Sequence, residues 1–205
     1  QTGTIAIGHQ ALTACTSGAG NTAVGYQSGL LTTTGAGNTY IGSTVGDATH
    51  VDSSHNTVIG ETSFGGSHTG SASHYNVVVG RAAMLGALNG VEGAVAIGYG
   101  SLTALTTAAG NTAIGYQSGA ALTSGGLNTI LGYQALDAAT TVNNSVAIGH
   151  SAMGGVPADQ AVEYAIAIGK DAMKGGASTT DGINGNIAIG ASAGALLTTG
   201  GGNTL

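Results

Sequence analysis

The chemistry-bearing residues of this chain are few: six histidines, one cysteine and nine carboxylates. His50 and His55 flank a stretch containing Asp52, and His68 and His74 come soon after, ahead of Tyr75. Imidazole and carboxylate are the ligand types of a zinc site. No tight ligand spacing links them, so these histidines read as solvated loop side chains and no bound metal is expected. Cys15 stands alone and can form no disulfide within the chain. It occupies a slot filled in other repeats by Leu105, Leu122 and Leu197, so it reads as a small buried hydrophobe rather than a nucleophile. Asp159, Glu163 and Asp171 lie in longer segments, and no Ser/His/Asp or paired-carboxylate set stands out around them. No GxxxxGK(S/T) phosphate loop occurs. An enzyme is not expected, nor a catalytic residue or a cofactor.

The background to these residues is unusual. Glycine supplies 39 of 205 residues, charged residues only 6%, and there is one proline and no tryptophan. The hydrophobic fraction is 42%, which with the low charge excludes a disordered chain. One proline excludes collagen. Three basic residues against nine acidic ones give a net charge of −6, the wrong sign for a nucleic-acid binder. No apolar run reaches membrane-spanning length.

What must position every side chain is a repeat. An aliphatic residue followed by glycine recurs through the sequence, with the glycines at Gly8, Gly25, Gly42, Gly60, Gly80, Gly98, Gly115, Gly132, Gly149, Gly169 and Gly190. Their spacings run 17, 17, 18, 20, 18, 17, 17, 17, 20 and 21 residues, and Asn203-Thr204-Leu205 opens a twelfth unit. Four residues before the glycine stands Asn in most units, as at Asn21, Asn38, Asn56, Asn76, Asn111, Asn128 and Asn186. Then come Thr, Val or Ile, a middle residue that is most often Ala, and the aliphatic residue. Asn suits the turn before a strand and predicts a stacked Asn ladder. Glycine suits a strand end where the backbone turns or passes close to a neighbour.

Side chains alternate across a strand, so the first and last strand residues share one face and the middle residue takes the other. The unbroken aliphatic character of the last position predicts that its face turns inward, which leaves the alanines outside. Three after the glycine a small residue recurs, and four after it a large apolar one: Leu12, Phe64, Met84, Leu102, Leu136, Met153 and Met173. Gly29, Gly46, Gly119 and Gly194 replace it in the other units, and Leu31, Leu122, Leu196 and Leu197 are expected to restore the volume.

A unit this short cannot bury its own apolar face and must stack on its neighbours. The expectation is an all-β, parallel β-solenoid of eleven to twelve rungs, left-handed and trimeric, about 48 Å long at ~4.8 Å per rung. A second order of repetition places five-rung copies over about residues 7–96 and 97–188, with a third beginning near residue 189. The longer rungs fall at the same phase of each copy and should project from one region at two heights. The chain opens on Gln1 and stops inside a rung, so a single segment of a longer fibre is expected, with its own continuation as a partner.

Asn144-Ser145-Val146-Ala147-Ile148-Gly149 resembles the NSVAIG motif of YadA-like head repeats in trimeric autotransporter adhesins. The Asn-Thr-Ala-Ile-Gly-Tyr-Gln form at 111–117, nearly repeated at 21–27, resembles repeats of bacteriophage tail fibres. The resemblance implies a parallel β-roll in which three chains pack side by side, outside a cell or on a virion, contacting a host-surface receptor of glycan or protein. The unit here is longer than the adhesin repeat, and no coiled-coil stalk or anchor appears. The expected function is a structural fibre for host or surface attachment, with small residues at the middle and third-after positions giving lateral packing. Receptor contact is expected on residues 61–76 and 151–165 or 174–186. The alternative is an ice-binding solenoid presenting Thr22, Thr39, Thr57, Thr112 and Thr129. Val or Ile at the same position in other rungs, and the bulky residues after the glycine, count against it.

Overall fold

A computed structural model describes residues 2–67, 70–158, 160–175, 183–197 and 200–205. Each repeat lays down one strand of three residues, immediately before its motif glycine. In order these are β1 (Ile5–Ile7), β2 (Thr22–Val24), β3 (Thr39–Ile41), β4 (Thr57–Ile59), β5 (Val77–Val79), β6 (Val95–Ile97), β7 (Thr112–Ile114), β8 (Thr129–Leu131), β10 (Val146–Ile148), β12 (Ile166–Ile168) and β13 (Ile187–Ile189). Two further strands, β9 (Thr141–Asn143) and β11 (Ala161–Glu163), pair with each other in a small second sheet. The eleven repeat strands form one parallel sheet in chain order. The register never slips: Thr22 pairs Thr39, Ala23 pairs Tyr40 and Val24 pairs Ile41, and the same pattern continues to β13. The chain is therefore an all-β, parallel β-solenoid of about ten turns.

The motif glycines explain why the turn can close. Gly115 has φ of +140°, and a Cβ on it would lie 2.3 Å from the carbonyl oxygen of Gly132 on the next rung. No side chain fits between backbones that close.

The Asn ladder forms as predicted. Asn38 donates from its backbone N–H and its side-chain amide to Asn21 Oδ1, at 2.8 and 3.1 Å. Its amide also donates to the Ser53 carbonyl at 2.8 Å, and Asn56 repeats both contacts on Asn38 Oδ1. These side chains are buried, so the ladder satisfies donors that the turns would otherwise leave unpaired in the interior. It is interrupted where Ala94, Ser145 and Ala165 stand in its place.

The direction of the strand faces is the reverse of the sequence expectation. Ala23, Ala96, Ala113, Ala147, Ala167 and Ala188 are buried, as are Tyr40, Val58, Val78 and Ile130 at the same middle position. The flanking residues of each strand are half-buried or exposed. The large fourth-after side chains fill the narrow interior, and what opposes them must usually be small. Leu12, Phe64, Met84, Leu102, Leu136, Met153 and Met173 are all buried there. They hold left-handed backbone angles, φ from +43° to +55°, that large side chains seldom adopt. Burial of these side chains offsets the cost of that conformation.

The small third-after residues also face inside: Ser28, Ser101 and Ala83 are fully buried. Ser28 and Ser101 hydroxyls donate to the carbonyls of Tyr40 and Ala113, both at 3.0 Å. Lateral packing through the alanine-rich positions is thus ruled out, because those positions are the core. Volume compensation for the fourth-after glycines is only partly as expected. Leu122 is buried and Leu197 packs on the core, but Leu31 and Leu196 are exposed, the latter by 87%. Residues of the strand supply the rest: Tyr40 fills the space beside Gly29 and Gly46, and Ile130 the space beside Gly119.

Candidate functional site

Turning the faces over puts two continuous columns on the outside of the large sheet. The first-strand column runs Ile5, Thr22, Thr39, Thr57, Val77, Val95 and onward; the last-strand column is Ile, Val or Leu on every rung. Ile41 is 39% exposed and Leu131 44%. Among the described residues such a face has no counterpart.

Two further columns border it. Immediately after each motif glycine is an exit position, where His9, Tyr26, Tyr99, Tyr116, Tyr133 and His150 stand exposed. Their rings stack along the rod. Tyr99 and Tyr116 lie 5.3 Å apart, Tyr116 and Tyr133 5.0 Å, Tyr133 and His150 5.2 Å, all within 13° of parallel. His9 stacks on Tyr26 in the same way, and the Arg81 guanidinium sits 5.8 Å from the Tyr99 ring. These rings form a ladder on the surface of the rod. One residue further on, Gln27 donates to Gln10 and Gln134 to Gln117, at 2.7 and 3.1 Å.

On the opposite border, five residues before each glycine, is a corner position in left-handed conformation. Glycine occupies it at Gly3, Gly20, Gly37, Gly93, Gly110 and Gly185, but His55, Tyr75, Leu127, Asn144 and Tyr164 hold the same conformation with φ of +52° to +60°. The corner side chains of Tyr75, Leu127 and Tyr164 are exposed, as the exit rings are.

The residues singled out for chemistry do not converge. His50 Nδ1 accepts from the Asp52 backbone at 3.3 Å, and His74 Nδ1 from the Ser54 backbone at 3.1 Å. His55 stacks on Tyr75 at 5.3 Å, while His68 lies outside the described residues. Among the described residues no group of three His, Cys, Asp or Glu side chains is placed to hold a metal. Cys15 is half-buried against the core, its thiol 3.5 Å from the Gly18 carbonyl.

Asp159 is outside the described residues, and Glu163 is exposed at the end of β11. Asp171 accepts from Lys174 at 3.1 Å, and this bond holds its carboxyl below the usual range. Burial moves Asp47 and Asp137 upward, each carboxylate lying against a glycine of the next rung, Gly65 and Gly154. Arg81 and Glu61 pair at 3.0 Å on the surface. Of the segments expected to meet a receptor, 174–186 is mostly outside the described residues, as are residues 68 and 69 of the first and residue 159 of the second.

Sequence reasoning missed the outward columns and the corner residues. A signal for the corner was present: glycine in most units and large side chains in a few. Among the described residues no helix is long and apolar enough to cross a membrane.

These features define the chain as a β-solenoid repeat protein with one apolar outward face. Compared with protein families, curated proteins and solved structures, it gives no match.

Proposed function

We propose that this chain is one strand of a rigid, extracellular or virion-borne fibre, in which three copies stand side by side and the assembly attaches to a host or another surface. The observation that carries this reading is the outward aliphatic column, unbroken over eleven strands. With its neighbouring columns it makes a strip about 48 Å long and on the order of 13 Å across, a size that marks interaction surfaces on soluble proteins. The occupant that fits is another copy. A flat face repeating at the rung spacing is matched by a face with the same spacing, and rotation about an axis along the rod closes such contacts into a ring. Low charge on the strip is in keeping with burial between chains. No catalysis, cofactor or nucleic-acid partner enters this reading. Light scattering coupled to size exclusion tests it: a mass of three chains that resists dilution is expected, and a stable monomer overturns it.

A second reading, ice binding, gains one observation. Thr22, Thr39 and Thr57 face outward and align with each other across the sheet, which removes the objection that they point inward. Threonine nonetheless gives way to Val or Ile on other rungs, and the last-strand column carries no hydroxyl. Thermal hysteresis in the monomer is its test.

A further inference from the structure

The exit column brings one oxidisable residue type together on three successive rungs. Ile97 pairs Ile114 and Ile114 pairs Leu131, so the register that aligns the strands also aligns Tyr99, Tyr116 and Tyr133, two residues further on. Their ring centroids are 5.3 and 5.0 Å apart, with planes 13° and 9° from parallel. Tyr116 is 42% exposed and Tyr133 48%, so the outer edge of the stack meets water.

The other four tyrosines are placed differently. Tyr26 stacks on His9 and Tyr75 on His55. Tyr164 stands exposed at its corner, and Tyr40 is sealed in the interior. Among the described residues only Tyr99, Tyr116 and Tyr133 stack tyrosine on tyrosine.

A phenol that gives up one electron and one proton becomes a radical, its unpaired electron shared with the ring carbons ortho to oxygen. Two such radicals couple when they are held together, and fixed proximity replaces a slow encounter in solution. The same position on adjacent rungs recurs at ~4.8 Å. Two rotatable bonds then let each exposed ring turn its ortho edge towards its neighbour.

We propose that this stack is an oxidative cross-linking site, at which Tyr116 is joined to Tyr99 or Tyr133 by a carbon–carbon bond between ortho carbons. The co-reactant is a one-electron oxidant, of the kind a peroxidase generates from hydrogen peroxide. Each phenol loses one electron and one proton, and the new bond forms between the two radicals. The hydrogen on each joined carbon then moves to its own oxygen, which restores both phenols. The two electrons and two protons released reduce one hydrogen peroxide to two waters. The product ties rung to rung in a chain whose single cysteine can form no internal disulfide. Closing a loop covalently restricts the unfolded chain, so the cross-linked rod melts at a higher temperature than the parent. Both phenols belong to one chain, so the site does not depend on how copies assemble.

Treatment of the full chain with peroxidase and limiting peroxide tests it. Intact mass under denaturing conditions should show a single chain lacking two hydrogens. Digestion with an elastase-type protease should then give joined peptides pairing Tyr116 with Tyr99 or Tyr133, in at least about tenfold greater yield than any pair using Tyr26, Tyr75 or Tyr164. Tyr116→Phe keeps an aromatic ring in the column but leaves the remaining tyrosines two rungs apart, and should lower the single-chain product at least about tenfold. Tyr99→Phe with Tyr133→Phe, which isolates Tyr116, should lower it as far, whereas Tyr164→Phe should leave it unchanged. Circular dichroism checks that each variant keeps the β-sheet spectrum. No single-chain product overturns the site, as does a product that is chiefly two chains joined. Equal use of the isolated tyrosines, or an undiminished yield in both stack variants, overturns it too.

Discussion

A Cβ added to Gly46 would lie 2.6 Å from Cε1 of Tyr40. The two positions share one internal space, and Tyr40 has taken all of it. The backbone does not forbid a side chain here: Gly46 has φ of +56°, and Met84 and Leu102 occupy the equivalent position at +47° and +50°. Volume decides.

Replacing Tyr40 by alanine should therefore cost about 3–5 kcal/mol, the range for removing a buried aromatic ring. Gly46→Leu alone should overpack the same space and cost about 1–3 kcal/mol. Together they reproduce the arrangement found elsewhere in the rod, and the double variant should be clearly more stable than the sum of the two losses. Urea unfolding of the four proteins measures this coupling. Additivity would show that the positions do not share the space.

Tyr40 also gives the rod an alkaline limit. Burial pushes its phenol up to about 12, with the hydroxyls of Thr32 and Thr49 pulling slightly the other way. The folded-state pKa is raised, so its contribution to stability is complete below the ordinary value of 10.0 and is lost as the pH climbs towards 12. Between those limits the loss approaches about 2–3 kcal/mol at 1.36 kcal/mol per unit. Denaturation of the parent chain and Tyr40→Phe at pH 8 and pH 11 should show the parent losing more. Equal losses would place the alkaline effect elsewhere.

The Asn ladder predicts a sign for charge. Asn38 Nδ2 donates to Asn21 Oδ1 and to the Ser53 carbonyl, so only a donor fits that end. Asn38→Leu leaves the Asn56 backbone N–H without its acceptor, and should cost about 3 kcal/mol or more, counting each orphaned buried group at about 1–3. Asn38→Asp keeps the acceptor but turns a carboxylate towards two acceptor oxygens. Its folded-state pKa must rise, so this variant should be weakest at neutral pH and regain stability as the pH falls through that raised value, with recovery complete near the ordinary carboxylate pKa of about 4. Thermal unfolding at pH 3.5 and pH 7 separates the two: recovery in acid belongs to aspartate alone.

Period, strand placement and the Asn ladder were legible because each depends on chain spacing or on a residue type with one good use. Eleven aliphatic-glycine steps have few folds open to them. The direction of the faces was not legible, because alternation says which residues share a face but not which face is inside. Constancy was a poor guide: the last-strand position is aliphatic on every rung and yet faces out. The better signal lay in the exchange between positions. Tyr40 and Ile130 stand at the alanine position beside Gly29, Gly46 and Gly119, and large residues that appear where others vanish must share an enclosed space. The corner column was announced only by its glycines. A left-handed angle at Tyr75 or Tyr164 is set by the turn around it, and nothing in those residue types announces it.

Adjacent residues on β7 give the sharpest test of the corrected faces. Ala113 is fully buried, while Ile114 points outward from the same strand. A carboxylate at Ala113 would enter the interior with no partner, at a cost of several kcal/mol. Ala113→Asp should therefore abolish the cooperative β-sheet circular dichroism or lower its melting temperature steeply, whatever the state of assembly. Ile114→Asp removes apolar area only from the outer strip, so the single chain should keep its spectrum and fold. What Ile114→Asp should lose is mass in light scattering, because a charge every copy brings to the same height repels its counterparts around the axis. The reverse result, with Ile114→Asp unfolding and Ala113→Asp merely dissociating, would restore the orientation that the unbroken aliphatic position first implied.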